Sequence, residues 1–285
     1  MRALATLIIL LTLAPPATAF ARGRPHRGPR VRAVAEVGVL GVASHHLQLS
    51  HDGTDLDLVA QAGQDNLFPV ARMSAEVTFG GRHTVVLLYQ PLDLRTSALL
   101  ASDVRIDGAD FLAGTALDTH YGFDFWRASY LYDLAGGEDA DDADQLAIGG
   151  SLQIRDAAIE FTSGDGALRR VSHDIGPVPL LKLRARHRCE GGFWLGLEAD
   201  GIYAPVKYFN GGRSDVVGAL LDASLSAGLR VRPGLDVFVA LRYLGGGATG
   251  TSKSHTGPGD GYVSNWLHFI TLTVGVELGP GARRR

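Results

Sequence analysis

Between Val217 and Val231 every second residue is apolar: Val217, Ala219, Leu221, Ala223, Leu225, Ala227, Leu229 and Val231. Asp222, Ser224, Ser226 and Arg230 stand between them. Successive side chains of a β-strand point to opposite faces, so this spacing makes a strand with one apolar wall and one charged wall. At roughly 9–11 residues per tilted crossing, such a run is long enough to traverse the apolar layer of a bilayer.

The same alternation recurs along the chain and predicts ten strands, starting near Val31, Val70, Arg82, Gly122, Gln145, Leu180, Phe193, Val216, Leu235 and Asn265. Eight or twelve strands are also compatible, because residues 91–115 alternate with interruptions and read as a long loop holding strand extensions. Leu181–His187 and Phe193–Tyr203 form a hairpin, and a turn at 190–192 sets Arg184 opposite Glu198 and Lys182 opposite Asp200. Pro233-Gly234 similarly brings Arg230 to Asp236. In the fifth strand the apolar positions move from Leu146, Ile148, Leu152 and Ile154 to Ile159 and Phe161, which predicts a β-bulge near Arg155-Asp156. The segment with Pro177 and Pro179 cannot donate a full ladder and is expected to lie outside the bilayer. The glycines from Gly245 to Gly261 predict a flexible polar loop.

A chain of 285 residues made of such strands forms one all-β unit, an antiparallel transmembrane β-barrel. A formal charge of −3 argues against a nucleic-acid partner. No run of eighteen apolar residues follows the N-terminus, which argues against membrane helices. The single Cys189 rules out an intramolecular disulfide. His45-His46 is not a metal pair, since neighbouring strand residues face opposite ways. The acidic run Gly136–Asp144 lacks the spacing of a calcium loop. No metal or cofactor is expected.

Residues 1–19 have the charged start, apolar centre and small-residue cleavage site of a signal peptide, and 20–30 read as a disordered basic lead-in. The barrel is assigned to 31–279 and a periplasmic tail to 280–285. Long and short connections alternate, as in barrels with short periplasmic turns and longer outer loops. Lys182, Arg184, Glu198, Asp200, Asp222, Arg230, Asp236 and Arg242 are the candidate interior charge network, joined by Glu36, Arg72 and Glu76. Tyr89, Trp126, Tyr130, Tyr132, Phe193, Tyr203, Tyr243 and Trp266 are candidate membrane-interface aromatics.

At Leu272-Thr-Val-Gly-Val-Glu-Leu278 the chain resembles the closing strand of bacterial outer-membrane β-barrel proteins. That resemblance implies a Gram-negative-type outer membrane, contact with its lipid, and insertion by the barrel-assembly machinery. The expected role is structural or that of a narrow pore with an ion-paired interior. Asp118-Thr-His120 is similar to the Asp-x-His pair of the omptin barrel proteases, which implies an alternative role as an enzyme at the outer rim. A lipid A deacylase reading would draw on His45, His46, Ser172 and His173, which no spacing singles out.

Overall fold

The computed structural model describes residues 28–135, 144–205, 215–252 and 258–280. The signal peptide, most of the basic lead-in, residues 136–143 of the acidic run, the Lys207–Ser214 loop and residues 281–285 lie outside the described residues.

Strands follow the alternation. They are β1 (Arg30–Leu49), β2 (Leu56–Asp57), β3 (Leu67–Phe79), β4 (His83–Gln90), β5 (Asp93–Leu99), β6 (Val104–Ile106), β7 (Ala109–Phe111), β8 (Ala116–Asp133), β9 (Gln145–Ser163), β10 (Arg169–Arg188), β11 (Phe193–Pro205), β12 (Val217–Arg232), β13 (Leu235–Thr251) and β14 (Tyr262–Leu278). The wall runs β1, β3, β4, β8, β9, β10, β11, β12, β13, β14 and closes when β14 pairs antiparallel with β1. This is a ten-stranded closed antiparallel barrel. Closure leaves the ring without edges.

The remaining elements sit at the long-loop end. β5 continues the β4 column beyond Pro91 and pairs with β8. β6 and β7 make a separate ribbon, and β2 pairs briefly with β1. The expected polar loop at 51–66 contains a short helix, α1 (Leu58–Gln61), whose Asp57 cap accepts the Val59 and Ala60 amides at 3.0 and 3.1 Å. Leu56 and Leu58 are buried, so this segment is held by apolar packing as well as by its cap.

Two expectations are corrected. The predicted bulge in β9 is absent: pairing with β8 and with β10 runs through Arg155-Asp156 without a register shift. Ile159 and Phe161 occupy the inward parity of an unbroken strand, and they are apolar because the interior itself becomes apolar there. The glycine-rich loop is also corrected, since β13 continues through Gly245–Thr251 and pairs with β14 as far as Thr251↔Tyr262. Glycine is required by contact rather than by flexibility. A Cβ on Gly247 would run into the Asn265 carbonyl oxygen, and one on Gly246 into that of Ala219.

Pro177 and Pro179 lie within β10, paired to β9 opposite Ile154 and Leu152. Among the described residues β11 pairs with β10 only between Leu181↔Gly201 and Arg188↔Trp194, so the prolines fall where β10 has one partner strand. That position tolerates a missing amide donor.

Both walls change character partway up. On β8 the outward residues below Phe125 are Trp126, Ala128, Tyr130 and Tyr132, and above it they are Asp124, Gly122, His120 and Asp118. Inward, Arg127, Ser129 and Asp133 give way to Phe125, Phe123, Tyr121 and Leu117. The lower part is therefore apolar outside and charged inside, and the upper part is the reverse. Leu40, Leu47, Leu58, Leu94, Phe111, Phe161 and Phe269 complete the upper apolar core. An exterior rich in Val, Leu and Ile around a charged interior is the arrangement of a barrel solvated by lipid.

Candidate functional site

Period-two alternation aims every second side chain of the lower barrel into its interior, and the sequence supplies mostly charged residues there. The geometry is layered. In the uppermost layer Asp200 of β11 and Asp222 of β12 are direct cross-strand neighbours, both 1% exposed. Two carboxylates so placed repel. Arg127 of β8, itself 1% exposed, stands between them and donates from Nη1 to both at 2.8 Å. Its Nε and Nη2 donate to Gln153 at 3.0 and 2.6 Å. Asp222 also accepts from Arg242 at 2.8 Å and Arg72 at 3.4 Å, while Asp200 accepts from Lys182 at 2.7 Å.

The middle layer is built on Arg184. Its guanidinium donates through Nη1 and Nη2 to Glu76 of β3 at 3.0 and 2.9 Å, and through Nε to Glu198 at 2.9 Å. Lys182 reaches the same Glu198 at 2.7 Å. In the layer nearest the short turns, Arg186 binds Glu277 at 2.9 and 3.0 Å and lies 3.7 Å over the Trp194 ring. Arg32 reaches Glu277 at 3.2 Å and Arg230 reaches Asp236 at 3.2 Å. Forked guanidinium–carboxylate bonds give strength and fixed geometry.

All eight charged residues expected from the sequence stand in one connected network, and the Lys182↔Asp200, Arg184↔Glu198 and Arg230↔Asp236 registers follow from their turns. Several ties cross the barrel: Arg127 to Asp222, Arg184 to Glu76 and Arg186 to Glu277 each join strands four places apart in the ring of ten. Arg127, Arg186, Glu277 and Gln153 were not singled out as members. Their signal was available, since each alternates with the apolar residues of its strand.

The eight aromatic candidates all lie at outward positions. Trp126, Tyr130, Tyr132, Phe193 and Tyr203 are exposed. Tyr132 and Phe193 stand beside short turns, whereas Tyr203 lies near the far end of β11. Tyr89 stacks on Trp126 with centroids 4.4 Å apart, Tyr243 hydrogen-bonds His268 at 2.6 Å, and Trp266 donates to Thr249 at 2.7 Å.

Asp118 and His120 point outward from the upper part of β8, away from the interior network. His120 Nε2 lies 3.1 Å from Asp93, and Asp118 shares an open surface concavity with His120, Ser97 and Glu160. Asp103 is used elsewhere, accepting the Ala113 amide at 2.7 Å. His45 and His46 face opposite ways. His45 is fully buried between Gln64 and Asn265 at 2.8 and 3.1 Å, and His46 pairs with Asp55 on the surface. His173 bonds Asp156 at 2.7 Å on the outer wall. Among the described residues no cluster of three or more His, Cys, Asp or Glu side chains is arranged to hold a metal ion.

The barrel is similar in architecture to solved bacterial outer-membrane proteins. With the outer membrane protease OmpT of Escherichia coli it shares 11% identity at a TM-score of 0.49, over 88% of this chain and 96% of that one. With the transport unit of the Escherichia coli autotransporter AIDA-I it shares 10% identity at a TM-score of 0.41, over 97% of each chain. A Pseudomonas aeruginosa FadL homologue gives 9% identity and a TM-score of 0.37, over 89% and 90%. No protein-family model and no curated protein sequence matches the chain. The class of protein is a β-barrel of outer-membrane type, and it is defined by the chain's own strand pairing and two-faced wall.

Proposed function

We propose that this protein resides in the outer membrane of a Gram-negative-type bacterium as a structural barrel with a closed, ion-paired interior. The signal-peptide pattern of residues 1–19, the outer apolar wall and the resemblance of the closing strand support export and insertion there. The observation that carries the closed reading is the set of cross-barrel ties through Arg127, Arg184 and Arg186. A small barrel fills with its own side chains, and here they are paired carboxylates and guanidiniums that give one another up only at a desolvation cost. Specific recognition then belongs to the long-loop end, where the chain spends β2, α1 and the β5–β7 segment.

Fractionation and planar-bilayer recording test this reading together. The expected result is an outer-membrane fraction, a heat-modifiable band on gels and no sustained channel. A stable conductance would replace the plug with a narrow pore, and solubility without detergent after signal removal would end the membrane reading.

A rim enzyme remains the second reading, favoured by the His120–Asp93 pair beside Asp118 in an open concavity. A carboxylate that orients a histidine is one element of a hydrolytic site. Proteolysis by the purified barrel, abolished in Asp118→Ala and His120→Ala, would establish it; inert wild-type protein would dismiss it.

A further inference from the structure

The inward side of β1 changes parity partway up. Leu40 and Val42 face the interior below a register shift between Val42 and Ser44, and His45, Leu47 and Leu49 face it above. An irregularity of this kind re-aims side chains, and here it turns His45 into the upper apolar core. Ser44, His46 and Gln48 face outward at this level, so it stands above the lipid. The buried His45 ring meets the rings of Tyr121 and Phe269 edge to face, with centroids 4.9 and 6.3 Å away. Its polar contacts are both amides: Gln64 Oε1 lies 2.8 Å from Nδ1, and Asn265 Oδ1 lies 3.1 Å from Nε2. The ionisable neighbours are turned away. His46 points outward to Asp55, Asp57 caps α1 and Asp65 is exposed. His120 of β8 faces the outer wall, and His268 of β14 is bonded to Tyr243 there.

Gln64 ends a segment that lies over this core, with Leu56, Leu58 and Ala62 buried beneath it. The Ala62 and Gln64 amides donate to the Leu58 carbonyl at 3.2 and 3.1 Å. Gly63, at φ 74°, packs so close to β5 that an added Cβ would lie 3.3 Å from the Ser97 carbonyl oxygen. The segment is bounded on both sides: Thr54 donates its amide to the Arg105 carbonyl at 2.8 Å before it, and β3 begins at Leu67 after it. Gln64 Nε2 is buried without a hydrogen-bond partner, so the His45 ring is what compensates the burial of that amide.

We infer that His45 and Gln64 form an acid-released latch that holds the segment from Leu56 to Gln64 down on the upper core. A neutral ring needs one donor and one acceptor for its two nitrogens, and two amides can supply both. A charged ring in the same place has lost its water and faces no carboxylate, which is costly in an apolar chamber. Burial accordingly pushes His45 below its ordinary value of 6.5, and the two amide contacts offset this only in part. The folded form therefore favours the neutral ring: its contribution is complete above about pH 6.5 and is lost as pH falls from there through the lowered value. In acid the segment lifts between its two fixed ends and presents the apolar side chains of Leu56, Leu58 and Ala62 to the outside.

Hydrogen exchange on the full chain in detergent micelles, with each rate divided by the intrinsic rate at that pH, tests the latch. Protection of the Ala62 and Gln64 amides should fall about tenfold between pH 7 and pH 5. The His51 amide, which donates to Asp260, should stay protected over the same range. His45→Gln puts a side chain there that is neutral at both pH values, and its Ala62 and Gln64 protection should not change between them. Gln64→Glu is the second variant, and it decides the matter if His45→Gln loses its heat-modifiable mobility. Its carboxylate faces the protonated ring, so protection should hold or rise on acidification. Wild-type protection that is unchanged between pH 7 and pH 5 overturns the latch, and so does a tenfold fall that persists in either variant.

Discussion

Phe125 and Arg127 are successive inward residues of β8, and the Arg127 guanidinium lies 5.3 Å from the centroid of the Phe125 ring. The ring belongs to the upper apolar core and the guanidinium to the uppermost charged layer. The two interiors thus meet in a cation–π contact. Arg127→Ala should destabilise the barrel by about 3–5 kcal/mol, since it leaves Asp200 and Asp222 buried face to face. Urea unfolding in lipid vesicles measures this. A loss below about 1 kcal/mol would mean that water replaces the guanidinium.

The exchange of polarity across β8 also fixes a level for the lipid. Leu225, 61% exposed, lies in the middle of the apolar wall of β12, while Tyr203 stands near the upper end of the neighbouring β11. Leu225→Arg should cost about 2–4 kcal/mol and Tyr203→Arg about 0–1, following the depth dependence of charge on a lipid face. Equal costs at the two positions would move the boundary.

Above that level the interior obeys the rules of a water-soluble core. Phe161 is fully buried there against residues from several strands. Phe161→Ala should therefore cost about 3–5 kcal/mol through the cavity it leaves. Hydrogen exchange should show the loss concentrated in β5–β7 and α1, with the lower strands protected as before. Uniform loss along β8 and β9 would show that the two halves unfold as one.

Ser50, His51 and Asp260 lock two outer loops together. Asp260 accepts the Tyr262 amide at 2.9 Å and the His51 ring at 2.6 Å, which hold its carboxyl down at about 2. A depressed carboxyl stabilises the folded form above its ordinary range near pH 4 and loses that contribution as pH falls toward 2. The His51 and Tyr262 amides should thus stay protected from exchange at pH 5 and become labile below about pH 3. Protection that persists in Asp260→Asn at pH 5 would show that the carboxylate is not the lock.

Much of this architecture was legible because a strand writes its two faces into alternate residues, and a tight turn then fixes register. The turn at Glu190–Gly192, with Gly191 and Gly192 at φ 73° and 86°, was enough to place Lys182 against Asp200. Alternation does not say what fills each side. At Ile159 the change of interior from charged to apolar had the same signature as an inserted residue, so a continuous strand read as a bulged one. At Gly245–Gly250 glycine reported close backbone contact, which composition alone cannot distinguish from a loop. The candidate network was partly legible for a related reason: local hairpin pairs such as Arg230–Asp236 follow from sequence, whereas Arg127 meets Asp222 from across the ring, 95 positions away.

The seam between β1 and β14 has a consequence for how the protein comes into being. It joins the first strand to the last, and the hydrogen bond from Thr273 to Glu36 spans 237 positions. Until the final strand has been made, the sheet is an open ribbon with two free edges, and the interior charges have only the partners on neighbouring strands. Closure therefore comes at the largest loop-closure entropy of any strand pairing in the ring, and it completes across the barrel a neutralisation that hairpin pairs such as Lys182–Asp200 and Arg230–Asp236 begin locally.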